Sequence, residues 1–374
     1  MGERRKWPLR VRFDGQVKLE FHGAKITSDA GLLVYRELDE AFGLTAGLKD
    51  LIPEPRTGKN IQHSVTALLR QSVYGRLAGY EDTNDAERLR VDLPLRRVVG
   101  ERAKNQVAAS TNEMSRFETE ILATDDNLNT LTDVCGQWVD QVAARSPKNR
   151  VILDMDSSES PTHGRQEGSA YSGHFGRTCY HPLFCFNQDG DVERTSLRWG
   201  NVHSADDWRS VLEPVVKRYR DQALERFFRG DAAFANPEIY EFLEAEHFCY
   251  AIRLKVNNLL HQHIAHLTTQ PVGRPSVKPK VVYESFRYQA HSWPKARRVV
   301  AKVEWHAGEL FPRIGFLVTN LTWHSKSVVR FYNQRGTAEQ WINQGRRTCP
   351  DLDPPVLPCL PRQCRPIATV CLGL

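Results

Sequence analysis

The chain has 374 residues, 40% of them hydrophobic and 26% charged, which is ordinary for a folded protein and enough for two or three domains. No run of about 18 apolar residues is present, and no apolar stretch follows the basic amino terminus, so the pattern excludes a transmembrane helix and a secretory signal. We therefore expect a cytoplasmic protein without a membrane partner, whose net charge of +6 favours a nucleic-acid partner only slightly.

The region before Pro147 is predicted to be mostly helical. Polarity alternates over roughly the first 20 residues, which favours short strands. Helical spacing of apolar residues follows in DAGLLVYRELDEAFGL, NIQHSVTALLRQSVYGRLAGY, AERLRVDLPLRRVVG, TNEMSRFETEIL and LNTLTDVCGQWVDQVAAR. Because helical amino-terminal regions often bind DNA, we predict that residues 1–147 form a DNA-end-binding region. A helical bundle without that role fits equally well, because no helix-turn-helix signature is visible.

Strands and helices alternate after Pro147. RVILDMDSS, RFFRGDAAF and FCYAIRLKV have the pattern of strands, and HPLFCFNQDGDVERTSLRWG that of two strands around a turn at Asp189–Gly190. ADDWRSVLEPVVKRYRDQ and PEIYEFLEAE are predicted helices. This order predicts an α/β fold with a mixed sheet of ribonuclease H type, built from residues 148–254 and 311–347.

Two further segments complete the predicted organisation. Residues 255–310 contain β-like runs between Gly and Pro residues and are expected to form a β-rich insertion that interrupts the sheet. SVVRFYNQRGTAEQWINQGRR is predicted as one long helix. Residues 348–374 contain six prolines, so we expect an irregular, disordered tail. None of the eight cysteines has the CxxC spacing of a zinc site, and the four before the tail are expected to be reduced thiols.

The strand VILDMDSS carries two candidate metal ligands. Asp154 and Asp156 are two residues apart, so a strand places both side chains on one face. A carboxylate inside an apolar strand is costly unless it is paired or binds a metal. Asp156 is the preferred ligand because it lies nearer the end of the strand, with Asp154 as the second choice. The alternative is a hydrogen-bonded acid without a catalytic role.

The second candidate ligand is Asp231. It directly follows the apolar strand in FFRGDAAFANPE, and its small neighbours Gly230, Ala232 and Ala233 leave room for a substrate. An acid in this position is also a common turn or capping residue. Taken alone, the turn or capping role would be the stronger interpretation.

The last predicted helix brings four polar residues to one face. Tyr332, Arg335, Glu339 and Arg346 lie at offsets that an α-helix with about 100° per residue keeps within about 60° of one another. Such a face offers a carboxylate for a metal ion and guanidinium groups for phosphate. A solvated helix face with an Arg335–Glu339 ion pair is the alternative interpretation.

A basic cluster beside Trp293 is a candidate DNA contact. Lys295, Arg297 and Arg298 combine positive charge with an aromatic neighbour, a pattern that favours binding of DNA ends. Solvated surface is the common alternative for a cluster of this size.

Several stretches of the chain resemble a known family. They are ITSDAGLLVYRE, LLRQSVYGRLAGYEDTND, VILDMDSSESPTHGRQEGSAYSGHFG, YHPLFCFNQDGD, GNVHSADDWR, FRGDAAFANPEIYEFLE and FYNQRGTAEQWINQG, which together span most of residues 10–347. The chain resembles DD(E) insertion-sequence transposases of the ribonuclease-H-fold superfamily and, among them, the group of insertion sequence thirteen-eighty. The last stretch is the most specific. It follows the superfamily spacing of Tyr, two residues, Arg, three residues, Glu, six residues, and Lys or Arg.

The resemblance implies a metal-dependent DNA transposase. Asp156, Asp231 and Glu339 would hold two Mg²⁺ or Mn²⁺ ions, and the tyrosine and both arginines of the last motif would contact the DNA. The implied partners are double-stranded DNA at the terminal repeats, target DNA, and a second copy of the chain in the synaptic complex of a prokaryotic cell. A β-rich insertion between the second and third acids matches the superfamily's layout.

Two other functions remain open from the sequence alone. The proline-rich end of the chain departs from the basic helical region that the family has there, which favours an inactive copy that binds DNA ends without cutting. A metal-dependent nuclease without strand transfer is the other alternative. The residues of the last motif argue against the nuclease, because cutting alone needs no dedicated contact with a DNA end.

Overall fold

A computed structural model describes residues 9–19, 29–80, 82–162, 168–269, 278–336, 338 and 340–342. Their contacts divide the chain into two compact units. The first unit comprises the described parts of Met1–Ser146 and Ser160–Tyr180, and the second comprises those of Pro147–Glu159 and His181–Gln344.

The first unit is built mainly from helices. Their bounds are α1 Leu32–Phe42, α2 Leu44–Leu51, α3 Val65–Leu77, α4 Ala86–Leu89, α5 Leu93–Val99, α6 Thr111–Arg116 and α7 Asp125–Arg145. Two-residue strands β1 (Leu9–Arg10) and β2 (Lys18–Leu19) precede them. The segment predicted as one helix around Leu93 is two helices, because Asp92 caps the second by accepting a hydrogen bond from the Leu95 N–H.

The second unit contains a sheet of eight strands. These are β3 Arg150–Ser157, β7 Leu183–Phe186, β8 Val192–Ser196, β9 Glu225–Gly230, β10 Cys249–Leu254, β11 Lys280–Tyr288, β12 Arg297–Trp305 and β13 Arg313–Thr319. Across the sheet their order is β11-β12-β13-β10-β9-β3-β7-β8. The neighbours β3, β9 and β10 are parallel, and the remaining pairs are antiparallel. The predicted α/β class with a mixed sheet is confirmed.

Helices cover this sheet on both faces. They are α8 Trp208–Tyr219, α9 Pro237–Ala245, α10 Asn258–His263 and α11 Ser325–Asn333. Leu153 and Phe228 belong to a buried cluster with α8 and α9, whereas Ile152 and Phe227 belong to another with α11. Because side chains alternate along a strand, Asp154 and Asp156 share the α11 face with Ile152.

The predicted β-rich segment contains strands β11 and β12, but it does not interrupt the sheet. β12 pairs with β13 from Arg298 to Glu304, and β11 pairs with β12 along its whole length. These strands extend the sheet by continuing its hydrogen-bond ladder beyond β13. The first unit has a small sheet of its own, in which β6 (Arg177–Tyr180) pairs with β4 (Ser160–Pro161) and β5 (Ala170–Ser172).

The segment predicted as one long helix is broken. α11 ends at Asn333, and the N–H groups of Gln334, Arg335 and Ala338 donate to carbonyls three residues earlier, at 3.3, 2.9 and 2.9 Å. Such bonds form a tighter turn than the α-helix, and Gly336 is a weak helix former. The prediction of a continuous helix is therefore wrong at Gln334–Arg335. The expected irregular tail, residues 348–374, lies outside the described residues.

Candidate metal centre at the carboxyl edge of the sheet

Asp156 and Asp231 lie side by side where β3 and β9 end. The two strands are parallel and pair Asp154 with Arg229 and Met155 with Gly230. One further step in this register places Asp156 opposite Asp231, on strands about 4.8 Å apart. Asp231 keeps an extended backbone, and its side chain caps the next turn by accepting a hydrogen bond from the Ala233 N–H at 2.9 Å. In-register residues of parallel strands point to one face, so both carboxylates lie on the α11 face.

Asp154 is bound to an arginine inside the sheet. The Arg229 Nε and Nη2 atoms donate to its two carboxylate oxygens at 2.6 and 2.5 Å, and both side chains are almost fully buried. Burial raises the pKa of Asp154, and the guanidinium opposes that shift. Since both oxygens are engaged by Arg229, the structure does not support Asp154 as a metal ligand. Its role is to neutralise Arg229 in the middle of the sheet.

Arg335 forms an ion pair with Asp156. Its Nη2 atom lies 2.9 Å from Asp156 Oδ1, and each residue exposes only 7% of its surface. Burial lowers the pKa of Arg335, but the negative charges of Asp156 and Asp231 raise it, and the net shift is upward. The half-buried Tyr332 lies in the same field, and burial raises the pKa of its hydroxyl. The four residues therefore form one electrostatically coupled group.

The chain on either side of Glu339 is anchored to the sheet. Arg335 contacts Asp156 before it, Ala338 is fully buried, and after it the Trp341 ring lies 5.6 Å from that of Phe186 on β7. Glu339 itself lies outside the described residues, as does Arg346 of the same motif, so their predicted roles stay predictions.

An open cleft adjoins this edge. Its volume is about 470 Å³. Ala232 and Ala233, which follow Asp231, line one side, and Lys255, just beyond β10, lines another. The small residues that the sequence places around Asp231 thus border open space, but most of the cleft's apolar lining belongs to the buried cluster with α8 and α9, on the face opposite the two carboxylates.

A family model provides the decisive comparison. The model of the transposase DDE domain, group 1, matches residues 9–350. The chain belongs to this transposase family. Comparison with curated proteins gives no match. DDE transposases act on DNA and typically use divalent metal ions, so the acidic carboxyl edge is the natural candidate for the reaction site of this transposase.

The acids at the edge fit a hard cation. Asp156 and Asp231 offer carboxylate oxygens, the ligands that Mg²⁺ prefers. Asp156 already binds one positive group, the guanidinium of Arg335. Over the described ranges, no three His, Cys, Asp or Glu side chains group closely enough to hold a metal ion. The third predicted ligand of the transposase, Glu339, falls outside those ranges.

The residues of the basic cluster beside Trp293 form ion pairs and hydrogen bonds within the protein. Arg297 is 3% exposed, and its guanidinium donates to Glu244 at 2.9 and 3.2 Å. The prediction that Arg297 contacts DNA is therefore not supported, because its charge is buried and paired. Lys295 also contacts Glu244, at 2.8 Å, but remains well exposed. Arg298 donates to main-chain carbonyls that follow β13.

Two structurally important residues were not predicted from the sequence. Arg229 neutralises Asp154, and Glu244 neutralises Arg297. Arg229 had one visible signal, namely a charged residue inside an otherwise apolar strand, which is costly unless it is paired. Within the described part of the transposase, no helix combines the length and apolar character that a membrane span requires.

Proposed function

We propose that this chain is a DNA transposase that cleaves and rejoins the ends of an insertion sequence at a centre formed by Asp156, Asp231 and Glu339. The observation that carries the proposal is the β3–β9 register, which aligns Asp156 with Asp231 at the carboxyl edge of parallel strands. Family membership supplies the reaction class. The anchors on both sides of Glu339 favour its approach to the same edge.

The strand order supports the ribonuclease H type of fold. β8, β7 and β3 form an antiparallel meander, and β9 and β10 continue the sheet as parallel strands next to β3. The assignment to the group of insertion sequence thirteen-eighty rests on the sequence resemblance and is part of the proposal.

In the proposed mechanism the chain positions the DNA and the ligands. Two bound Mg²⁺ or Mn²⁺ ions would supply Lewis-acid chemistry at the attacking and leaving oxygens of a phosphodiester. Asp156 and Asp231 provide oxygen ligands from two adjacent strands. Tyr332 lies within electrostatic range of both aspartates, and Lys255 lines the cleft, so a phenol and an ammonium group are available to contact the DNA backbone. No covalent bond between enzyme and DNA is part of this scheme.

The proposed partners are the terminal-repeat DNA, a target duplex and a second copy of the chain in the synaptic complex. Cleavage of a labelled duplex that carries the element's own end tests the central claim. Wild type should cut at one position in Mg²⁺ or Mn²⁺, whereas Asp156→Asn, Asp231→Asn and Glu339→Gln should bind the duplex without cutting it, because each removes a ligand charge.

Asp221→Asn is the matched control. This exposed acid follows α8 and precedes the start of β9, so it lies towards the opposite edge of the sheet. It should cut like wild type. Cutting without joining to a target duplex would indicate a nuclease. Specific binding by wild type with no cutting under any metal would indicate an inactive copy. Full activity of Asp231→Asn would exclude the proposed centre.

A further inference from the structure

The proposed metal ligand Asp156 is already paired with a cation of the chain itself. Arg335 Nη2 lies 2.9 Å from Asp156 Oδ1, and both residues are 7% exposed. Asp231 acts on the same guanidinium. A divalent ion bound to these carboxylates would lie within a few ångströms of a fixed positive charge, and such charges repel strongly at a site shielded from water.

The position of Arg335 on the chain allows it to leave Asp156. It stands in the turn that ends α11, where the bonds run between residues three apart, and Gly336 follows it. A turn of this kind can change conformation while α11 stays packed on the sheet through Val328 and Val329. The arginine can therefore move without unfolding the unit.

We propose that Arg335 holds Asp156 in place of a metal ion in the DNA-free protein, and that a DNA phosphate draws it away. A phosphodiester placed for attack at the carboxyl edge comes within reach of the guanidinium, which binds phosphate oxygens well. The two ligands thus help one another: DNA releases the carboxylate for the metal, and the metal releases the guanidinium for DNA. The inference rests on the proposed function, since it takes Asp156 to be a metal ligand.

The measurement is calorimetric titration of Mn²⁺ into the full chain, with and without a short duplex oligonucleotide. Arg335→Gln should bind Mn²⁺ at least about tenfold more tightly than wild type without DNA, since a loss of 1.4 kcal/mol of repulsion gives that factor. The duplex should tighten Mn²⁺ binding by wild type and leave that of Arg335→Gln nearly unchanged.

Arg253→Gln is the matched control for charge. Arg253 is exposed on β10, one step beyond the residue that pairs with Gly230, so it lies at the same edge opposite Asp231. Its replacement removes the same charge but not the contact with Asp156. The proposal requires a smaller gain in affinity than with Arg335→Gln. Equal gains would show a general field effect and overturn it.

Two outcomes separate this inference from the proposed function. If Asp156→Asn abolishes Mn²⁺ binding but Arg335→Gln binds as wild type does, the metal centre stands and the role of Arg335 is refuted. If Asp156→Asn binds Mn²⁺ normally, the proposed centre itself fails. Should circular dichroism show Arg335→Gln to be unfolded, Arg335→Lys replaces it. Because lysine is shorter and contacts Asp156 less closely, Arg335→Lys should still bind Mn²⁺ more tightly than wild type. An unchanged affinity would overturn the inference.

Discussion

Replacing Arg229 by Met should strongly destabilise the second unit. The substitution leaves Asp154 fully buried beside apolar side chains, with no guanidinium on either oxygen. Breaking a buried pair in this way costs about 3–5 kcal/mol. That is a large part of the total stability of about 5–15 kcal/mol that folded proteins have. The Phe331 carbonyl, which also accepts from Arg229, keeps its bond from the Gln334 N–H and adds little to the loss.

Urea unfolding followed by tryptophan fluorescence measures this loss. Six of the eight tryptophans lie in the second unit, so the signal reports mainly on the sheet. The double variant Arg229→Met with Asp154→Leu should recover most of the stability, because apolar residues of similar size can replace a buried ion pair at little cost. Arg313→Met, which removes an exposed partner of Glu309, should change stability little.

A loss of less than about 1 kcal/mol for Arg229→Met alone, the value typical of an exposed pair, would refute a strongly stabilising buried pair. A double variant as unstable as the single one would also refute it, since the loss would then come from packing. Lower pH should reduce the defect of Arg229→Met, because protonation of Asp154 removes its unpaired charge.

Three further predictions concern other contacts. Gly190→Ala should cost about 1–3 kcal/mol, because Gly190 has a φ of +92° and an added Cβ would lie 2.8 Å from the Trp341 ring. Glu113→Gln should lower the pKa of His63, which its hydrogen bond to Glu113 raises, so the loss of stability should be larger at pH 5.5 than at pH 8.5. Partial burial raises the pKa of Glu244, but hydrogen bonds from neighbouring cations outweigh that effect and hold the pKa at about 2. The loss of stability in Glu244→Gln should therefore be present at pH 7 and should vanish as the pH falls from about 4 to 2.

Each of these has its own check. Gly308→Ala, with a φ of +83° and open space around it, isolates the backbone cost, and an equal loss would exclude the ring contact. Proton NMR titration follows His63 directly, and an unchanged midpoint would contradict the prediction for Glu113→Gln. For Glu244→Gln, urea unfolding at several pH values should show the deficit shrinking with acid. A constant deficit would mean that charge is not its source.

Local patterns predicted much of the second unit. KVVYESFRY and RRVVAKVEW coincide with β11 and β12, and the turn at Asp189–Gly190 joins β7 to β8. These features depend on residues close in the chain. The sequence placed Asp154 and Asp156 on one face, which the structure also shows. It could not give their partners, because Arg229 lies 75 residues from Asp154 and the strand register decides the pairing.

The remaining errors have the same origin. Helical periodicity indicated that Arg335 lies on a polar helix face, but periodicity cannot show that Arg335 contacts Asp156 on a different element. The ion pair with Asp156 and the low helix propensity of Gly336 favour a turn at Arg335. Arg297 resembled a surface residue because charge is normally exposed. Its burial depends on Glu244, which belongs to α9, a different part of the chain.

The ion pair between Asp156 and Arg335 also sets an order of events during synthesis. The aspartate leaves the ribosome first, and the arginine follows roughly 180 residues later, about 10–35 s at 5–20 residues per second. During that interval β9 and β10 are also made and can pair with β3, while Asp156 still lacks its partner Arg335. The nascent chain therefore presents the Asp156 carboxylate to cellular cations before Arg335 is made.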